Sequence, residues 1–395
     1  MRFVLVFLVL AALTCKGQIA KDKCKFLGNV IGAYTPTDFN TLWNQVSPEN
    51  AGKWGSVEAS KDVMVWDQLD NAYKYAKDNG VPFKQHTLVW GQQQPAWISA
   101  LPPADQMKQV EEWIKLFCER YPDTDFIDVV NEPLHAVPVY SDALGGKGTT
   151  GWDWVVWAFE KAKAYCPKAK LILNDYNIIG NNVATLNYLD IIKILKDRSL
   201  IDIIGEQGHF LETTPNSTIT SNLDKLYATG LPIHISEYDI NLASDAEQKA
   251  KYESQFPALW GHKGVYGVTL WGYKQGEIWR TDSYLLRSNG TQRPALEWLK
   301  GYVAANAGGA FCLTTGVEDH ETGLQVYPNP APSGNFTLES SLGEFDVHIR
   351  DLQGRVILER KVSGLVPVSL QVPVGLYFIE ISNGTMREFR KLVLE

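Results

Sequence analysis

The stretch Phe126-Ile-Asp-Val-Val-Asn-Glu-Pro133 is a short apolar run that ends in a carboxylate between an amide and a proline. Such a run is typical of a buried strand, and Pro133 favours the end of the strand at this point. A second run of the same kind, Leu231-Pro-Ile-His-Ile-Ser-Glu-Tyr-Asp239, carries Glu237 near its end. Two carboxylates at the carboxyl ends of strands indicate a two-carboxylate hydrolase.

The chain around these two stretches alternates short apolar runs with amphipathic segments from Lys25 to Asn306, which predicts parallel strands joined by helices. Phe26–Gly32 is the first run. The later runs end at Trp54, Trp90, Glu132, Tyr176, His209, Glu237 and Trp271. Eight such units favour an α/β fold, the (β/α)8 TIM barrel, with its active site at the carboxyl ends of the strands. A doubly wound sheet would usually carry a G-x-G-x-x-G turn after its first strand, and none follows here.

Helical spacing between the runs predicts seven helices and a shorter first helix near Asp38–Asn44. Many of the segments stop at Gly or Pro, as at Asn79-Gly80 and Tyr121-Pro122. The seven helices are predicted at Val65–Asn79, Ala104–Arg120, Trp152–Cys166, Val183–Arg198, Asn222–Thr229, Ala246–Trp260 and Pro294–Ala305.

The pattern changes after the barrel region, since residues 307–323 lack periodicity and are interpreted as a linker. Short alternating runs from residue 324 to residue 395 then predict a small β-sandwich, with a hairpin signal at Asn383-Gly384. Its strands are expected at Leu324–Tyr327, Asn335–Glu339, Phe345–Arg350, Arg355–Val362, Val366–Val372, Leu376–Ser382 and Thr385–Leu394.

The amino terminus has one positive charge, an apolar stretch too short to span a membrane, and then small residues, as a secretory signal peptide does. We expect cleavage after Gly17, with lipidation at Cys15 as the alternative, and therefore a secreted or cell-surface protein. The net charge of −8 and the lack of a basic patch argue against a nucleic-acid partner. No membrane span is expected in the mature chain, which we expect to be a monomer.

Four cysteines remain after the signal peptide, an even number in an oxidising compartment. Cys24 precedes the first strand and Cys312 follows the last helix, and a closed barrel would bring these ends together. Cys118 and Cys166 each lie at the end of a predicted helix. We therefore favour the pairs 24–312 and 118–166 over free buried thiols.

Seven motifs in the barrel region resemble, in order, those of glycoside hydrolase family 10, the retaining endo-β-1,4-xylanases. They are Val46-Ser-Pro-Glu-Asn-Ala-Gly-Lys-Trp54, His86-Thr-Leu-Val-Trp90, Asp128-Val-Val-Asn-Glu132, Asn174-Asp-Tyr176, Gly205-Glu-Gln-Gly-His209, Ile235-Ser-Glu-Tyr-Asp239 and Leu270-Trp-Gly272. The resemblance implies hydrolysis of internal β-1,4-xylosidic bonds of xylan, with Glu132 as general acid/base and Glu237 as nucleophile. A retaining mechanism needs these carboxyl groups about 5–5.5 Å apart, and Glu132 must hold a raised pKa.

The same resemblance assigns the substrate-binding residues. Asn131 would hydrogen-bond the sugar 2-hydroxyl, and His209 would orient the nucleophile. The remaining contacts implied by the family are Glu49, Asn50, Lys53, His86, Trp90, Gln93, Tyr176, Gln207, Trp271 and Trp279. No cofactor is implied, and a metal site at His86 and His209 is disfavoured because no H-x-H or H-E-x-x-H pattern is present.

Two stretches depart from the commonest family pattern. Gly91 stands where the family commonly has a second histidine, so one sugar contact is expected to be missing or supplied elsewhere. Tyr273-Lys-Gln-Gly-Glu-Ile-Trp279 also differs. These departures bear on substrate preference, and a different β-glycan such as mixed-linkage glucan is the alternative substrate. A catalytically silent glycan-binding barrel is the alternative from another functional class.

The last part of the chain resembles the C-terminal sorting domain of the type IX secretion system. The resemblance lies in Val326-Tyr-Pro-Asn-Pro330, Asp351-Leu-Gln-Gly-Arg355, Gly375-Leu-Tyr377 and the ending at Lys391–Val393. It implies a secretion machinery as partner. A carbohydrate-binding module is the alternative, although residues 324–395 contain no tryptophan for a sugar platform.

Overall fold

The computed structural model describes residues 17–32, 36–306, 324–351, 355–382 and 387–394. The chain divides into two compact units, Met1–Phe311 and Cys312–Glu395. Residues 1–16 of the expected signal peptide, the expected linker at 307–323 and the hairpin turn at Asn383-Gly384 lie outside the described residues. Within the described residues, no helix is both long and apolar enough to cross a membrane.

Eight parallel strands form the core of the first unit, and they are buried along almost their whole length. They are β1 (Phe26–Ile31), β2 (Val46–Pro48), β3 (Lys84–Val89), β4 (Phe126–Asn131), β5 (Lys170–Asn174), β6 (Ile203–Glu206), β7 (Ile233–Tyr238) and β8 (Val265–Leu270). Their order in the sheet is β2-β1-β8-β7-β6-β5-β4-β3, and a parallel bridge between Val46 and Phe83 joins its two ends. The prediction of a TIM barrel is confirmed.

Helices surround this barrel and bury their apolar faces against the strands. They are α1 (Trp54–Val57), α2 (Asp67–Asp78), α3 (Pro103–Arg120), α4 (Asp153–Tyr165), α5 (Asn182–Asp197), α6 (Asn216–Tyr227), α7 (Asp245–Trp260) and α8 (Pro294–Ala305). Side-chain caps begin two of them: the Asn181 side chain accepts hydrogen bonds from the second and third residues of α5, and the Ser244 side chain accepts one from Glu247 N–H. The predicted helices therefore form, within a few residues of the expected ends except at the start of α6.

Two expectations near the start of the barrel are wrong in detail. Trp54 does not end the second strand, because β2 stops at Pro48 and Trp54 is the first residue of α1. The residues between them, Glu49-Asn-Ala-Gly-Lys53, form a turn in which the last three residues are buried. The expected first helix is only a single 3-10 turn, Phe39–Thr41.

The disulfide between Cys118 and Cys166 is present, as predicted, and it joins the ends of α3 and α4. Cys24 is also disulfide-bonded. Its predicted partner, Cys312, lies outside the described residues.

The second unit is all-β, as predicted, but its described part has five strands where seven were expected. They are β9 (Leu324–Tyr327), β10 (Asn335–Arg350), β11 (Val356–Ser369), β12 (Gly375–Ser382) and β13 (Arg387–Leu394), in the sheet order β11-β10-β12-β13 with β9 on β10. Two pairs of expected short strands are continuous, because β10 and β11 keep pairing across a register shift between Ser340 and Phe345. Asn329 Nδ2 donates to the Lys391 carbonyl at 2.7 Å, and Val393 N–H donates to Asn329 Oδ1 at 2.9 Å.

Candidate active site

The carboxyl ends of the barrel strands surround a cavity of about 400 Å³. All of the residues predicted from the sequence to act on substrate lie along it, and three further residues join them. The predicted ones are Glu49, Asn50, Lys53, His86, Trp90, Gln93, Asn131, Glu132, Tyr176, Gln207, His209, Glu237, Trp271 and Trp279, and the additional ones are Gln92, His135 and Phe210. A second cavity continues past Glu49 and Asn50 towards Lys274 and Glu277.

Glu132 follows β4 directly and has a left-handed backbone, with φ of 55°. This conformation costs roughly 1–2 kcal/mol for an L-residue, so the surroundings must hold it. Its N–H donates to the carbonyl of Asn174 at 2.7 Å, and its side chain accepts from Gln207 Nε2 at 3.1 Å. Burial raises the pKa of Glu132, the bond from Gln207 acts against this, and the charge of Glu237 adds to the increase. The protonated form of Glu132 is therefore favoured relative to a free carboxyl group.

Glu237 lies in β7, next to its last residue, and has the opposite shift. Its two oxygens lie 2.8 Å from Asn174 Nδ2 and 3.3 Å from His209 Nε2. Burial acts to raise the pKa of Glu237, but the neighbouring His86, His209 and Lys84 outweigh it and lower the pKa to about 2. Glu237 is therefore ionised at neutral pH.

The positive groups that act on Glu237 include His209, Lys84 and Lys53. Burial acts to lower the pKa of His209, but Asp239, whose oxygen lies 3.1 Å from Nδ1, and Glu237 raise it to about 10. Burial lowers the pKa of His86 below its ordinary value, and the negative charges of Glu237 and Asp128 act against this. His209 is therefore the imidazolium that stays charged beside Glu237 at neutral pH, with Lys84 as the neighbouring ammonium.

A chain of amide side chains joins the two glutamates. Asn131 Nδ2 approaches Glu132 Oε1 at 3.4 Å, and Asn131 Oδ1 accepts from Asn174 Nδ2 at 2.8 Å. The same Asn174 nitrogen donates to Glu237 Oε1. Ser236 Oγ donates to Asn174 Oδ1 at 2.6 Å. The two carboxyl groups consequently belong to one hydrogen-bonded network.

Below this network, His86, Asp128 and Glu237 bring potential metal-ligand atoms within 4.8 Å of one another. Lys84 Nζ already lies 2.6 Å from Asp128 Oδ2, and both side chains are fully buried. The same oxygen is 3.0 Å from His86 Nδ1. A fixed ammonium inside the cluster supplies the charge that a cation would bring, so these residues fit an ion pair better than a metal.

One side of the cleft is built from the loops after β2 and β3. Lys53 Nζ donates to Asn50 Oδ1 at 2.9 Å and to Gln93 Oε1 at 2.6 Å, and it lies 4.9 Å from the centre of the Trp90 ring. Burial raises the pKa of Glu49 beside them. Amides, a cation and an aromatic face in this arrangement can bind the hydroxyl groups and the apolar face of a sugar.

Aromatic rings line the other parts of the cleft. Trp271 meets His86 edge-on at 4.9 Å, and Trp279 meets His209 at 4.8 Å. Trp279 Nε1 donates to Asp239 Oδ2 at 3.1 Å, which fixes the indole although 48% of the residue is exposed. Phe210, whose φ is 60°, extends this surface and is 50% exposed.

The structure gives a physical reason for Gly91. A β-carbon at this position would lie 2.3 Å from the carbonyl oxygen of Ala136 and 2.6 Å from that of Val137. Gly91 N–H donates to the same Ala136 oxygen at 3.0 Å. The loop after β4 therefore occupies the space that any side chain at position 91 would need.

Sequence reasoning missed four residues: Asn174, Gln92, His135 and Phe210. Asn174 could have been predicted from the sequence, because it closes β5 and belongs to one of the quoted motifs. Gln92, His135 and Phe210 lie just after strand-end residues, and the path of a loop is not encoded in a short pattern. The residues that close the apolar runs therefore predict the base of the cleft, but they do not predict the loop residues that line its sides.

Comparisons with known proteins agree with this geometry. The profile of Glycosyl hydrolase family 10 matches residues 17–302. Endo-1,4-beta-xylanase B of Cellvibrio japonicus is 41% identical over 278 residues, covering 70% of this chain and 45% of that protein. Endo-1,4-beta-xylanase A of Phanerodontia chrysosporium is 29% identical over 263 residues, covering 64% of each. The chain thus spans about half to two thirds of the length of these relatives.

Among solved structures, native xylanase 10B from Thermotoga maritima shares the fold with a TM-score of 0.66 and 23% identity. The match covers 73% of this chain and 98% of that one.

In the last part of the chain, the profile of the Secretion system C-terminal sorting domain matches residues 325–395. This match confirms the expectation of a secreted or cell-surface protein. The family profile over most of the chain, the barrel and the 41% identity agree, and the chain belongs to glycosyl hydrolase family 10.

Proposed function

We propose that this protein is a secreted endo-1,4-β-xylanase that hydrolyses internal xylosidic bonds of xylan with retention of configuration. The observation that carries the proposal is the pair of opposite pKa shifts within one network, raised at Glu132 and lowered to about 2 at Glu237. A double displacement needs one protonated and one ionised carboxyl group. These two glutamates meet that need at the same pH.

In the first step, Glu237 attacks the anomeric carbon and forms a glycosyl ester while the glycosidic bond breaks. Glu132 gives its proton to the leaving oxygen and becomes a carboxylate. The negative charge of Glu237 is consumed in the ester, so one cause of the raised pKa of Glu132 disappears. Glu132 can then take a proton from water, which attacks the anomeric carbon and releases Glu237.

The amides of Asn131, Asn174 and Gln207 support both steps. Asn131 and Gln207 lie beside Glu132, and Asn174 bonds Glu237, so the side chains stay in place while the charges move. Asn131 is proposed to bond the sugar 2-hydroxyl, a contact that strengthens in the transition state. The groups around Lys53 are proposed to bind sugars on the non-reducing side. The continuation of the cleft beyond Glu49 suits a long polymer.

The ends of the chain are proposed to serve export. We infer a signal peptide at residues 1–17, a linker at 307–323 and a sorting domain at 324–395 that a secretion machinery recognises. The match of the sorting-domain profile supports the last assignment. The intact mass of the exported protein tests the cleavage after Gly17.

Xylan, mixed-linkage glucan and mannan, incubated separately with the purified protein, test the substrate. We expect rapid shortening of xylan to a ladder of oligosaccharides, because endo cleavage acts at internal bonds. Release from glucan alone would favour the other β-glycan. No release from any of the three would favour a non-catalytic glycan-binding barrel.

A further inference from the structure

His135 lines the cleft but has no part in the double displacement. It follows Glu132 by three residues, in a turn where the N–H groups of His135 and Ala136 both donate to the Glu132 carbonyl, at 3.1 and 2.8 Å. Under the proposed function, on which this inference rests, Glu132 protonates the leaving group. A side chain on the same turn therefore borders the leaving-group side of the cleft.

The imidazole ring of His135 is fixed by two contacts. Its Nδ1 lies 2.6 Å from Asp175 Oδ1, and the Asp175 side chain is fully buried. Its face stacks on Tyr176, with ring centres 4.0 Å apart and 27° between the planes. Asp175 also accepts from Leu134 N–H at 2.9 Å and Tyr176 N–H at 2.8 Å, so the loops after β4 and β5 are joined at this carboxylate.

These contacts leave one edge of the imidazole for a ligand. With Nδ1 bound to Asp175, Nε2 lies on the opposite edge of the ring, and no described residue hydrogen-bonds it. The side chain is 26% exposed. The bond to Asp175 raises the pKa of His135, burial acts against this, and Asp175 and Glu132 are the charged groups that favour the imidazolium. An imidazolium has an N–H donor at both nitrogens.

We propose that His135 is a specificity-determining residue whose Nε2–H donates a hydrogen bond to a hydroxyl of the sugar on the leaving-group side. Gly91 makes this position available, because the close approach of its backbone to Ala136 allows the turn that carries His135. A histidine that only braced the loop would need its bond to Asp175 but no donor at Nε2. The two roles differ in what they do to substrates with and without a leaving-group sugar.

The test compares kcat/KM for a xylo-oligosaccharide with kcat/KM for an aryl xylobioside, whose leaving group is not a sugar. His135→Phe keeps an aromatic ring but removes the donor. We expect the oligosaccharide value to fall roughly 10- to 100-fold more than the aryl value. His135→Gln, which keeps an N–H donor, should recover part of this difference. Val139→Ala, an exposed change on the same loop, should leave both values as in the wild type.

Equal losses on both substrates in His135→Phe would overturn the inference, since they would indicate loop bracing alone. A His135→Gln variant no better than His135→Phe would contradict the donor role. If His135→Phe does not fold, His135→Leu also lacks the donor and carries the same expectation. If the wild type cleaved neither the xylo-oligosaccharide nor the aryl xylobioside, the proposed function would be overturned instead.

Discussion

The end of β4 and the end of β7 each carry a buried glutamate, yet their neighbours differ in charge. The neutral amide of Gln207 and the indole of Trp90 favour the ionised form of Glu132 most, and the cations that couple to it are Lys53 and His135. Glu237 has His209 and Lys84. Burial pushes both pKa values upward, so the cations decide which carboxyl group stays ionised. Two residues of one chemical type thereby acquire opposite pKa shifts from their surroundings, as the proposed division of roles requires.

Removal of Glu237 tests one side of this contrast and should have the largest effect. Glu237→Ala deletes the ionised carboxylate, so we expect kcat on xylan to fall by at least about 10⁴-fold. Reducing-sugar release measures the loss, and an unchanged melting temperature shows that the barrel is intact. Wild-type turnover in a folded variant would mean that Glu237 is not the nucleophile.

Removal of Glu132 should have a smaller effect that depends on the leaving group. Glu132→Ala lacks the proton donor, so we expect a loss of about 10²–10⁴-fold on xylan. An aryl glycoside with a good leaving group should lose much less, because it needs no protonation. Azide should restore turnover and give a glycosyl azide of retained configuration. A product of inverted configuration, or no product, would contradict the assignment of the two roles.

A change at Gln207 should sharpen the contrast with the smallest effect. The bond from Gln207 Nε2 favours the ionised form of Glu132, so Gln207→Leu should raise the pKa of Glu132 further. Because the proposed mechanism needs Glu132 protonated, the alkaline limb of the profile of kcat/KM against pH should move to higher pH. Thermal stability measured at each pH separates this shift from unfolding. A shift to lower pH would contradict the account of the Glu132 environment.

Sequence reasoning reached the barrel and its two glutamates because strand ends are local. Glu132 directly precedes the proline that ends its apolar run, and Glu237 lies near the end of another apolar run. Parallel strands bring such ends to one face of a barrel. Trp54 was wrongly taken as a strand end because the local pattern did not show that the chain turns over residues 49–53 after β2. The long strands β10 and β11 were divided because turn-like residues interrupt the pattern, Gly343 in β10 and Ser363-Gly364 in β11, whereas the two strands resume pairing beyond a register shift.

The rest of the site depends on contacts between loops that are distant in sequence. His135 reaches Tyr176 and Asp175 only because the loops after β4 and β5 fold together. The physical cause of the opposite pKa shifts of the two glutamates also required the structure, since Lys84 and His209 come from β3 and from the loop after β6. No spacing within a single motif contains that information.

Gly91 has a consequence for how this barrel can change over time or by design. Because the Ala136 and Val137 carbonyls fill the space beside it, the family's usual histidine cannot be restored there by a single substitution. Position 91 and the segment after Glu132 must be exchanged together, as one module taken from a relative. A variant with a side chain at position 91 alone would have the loop after β4 displaced.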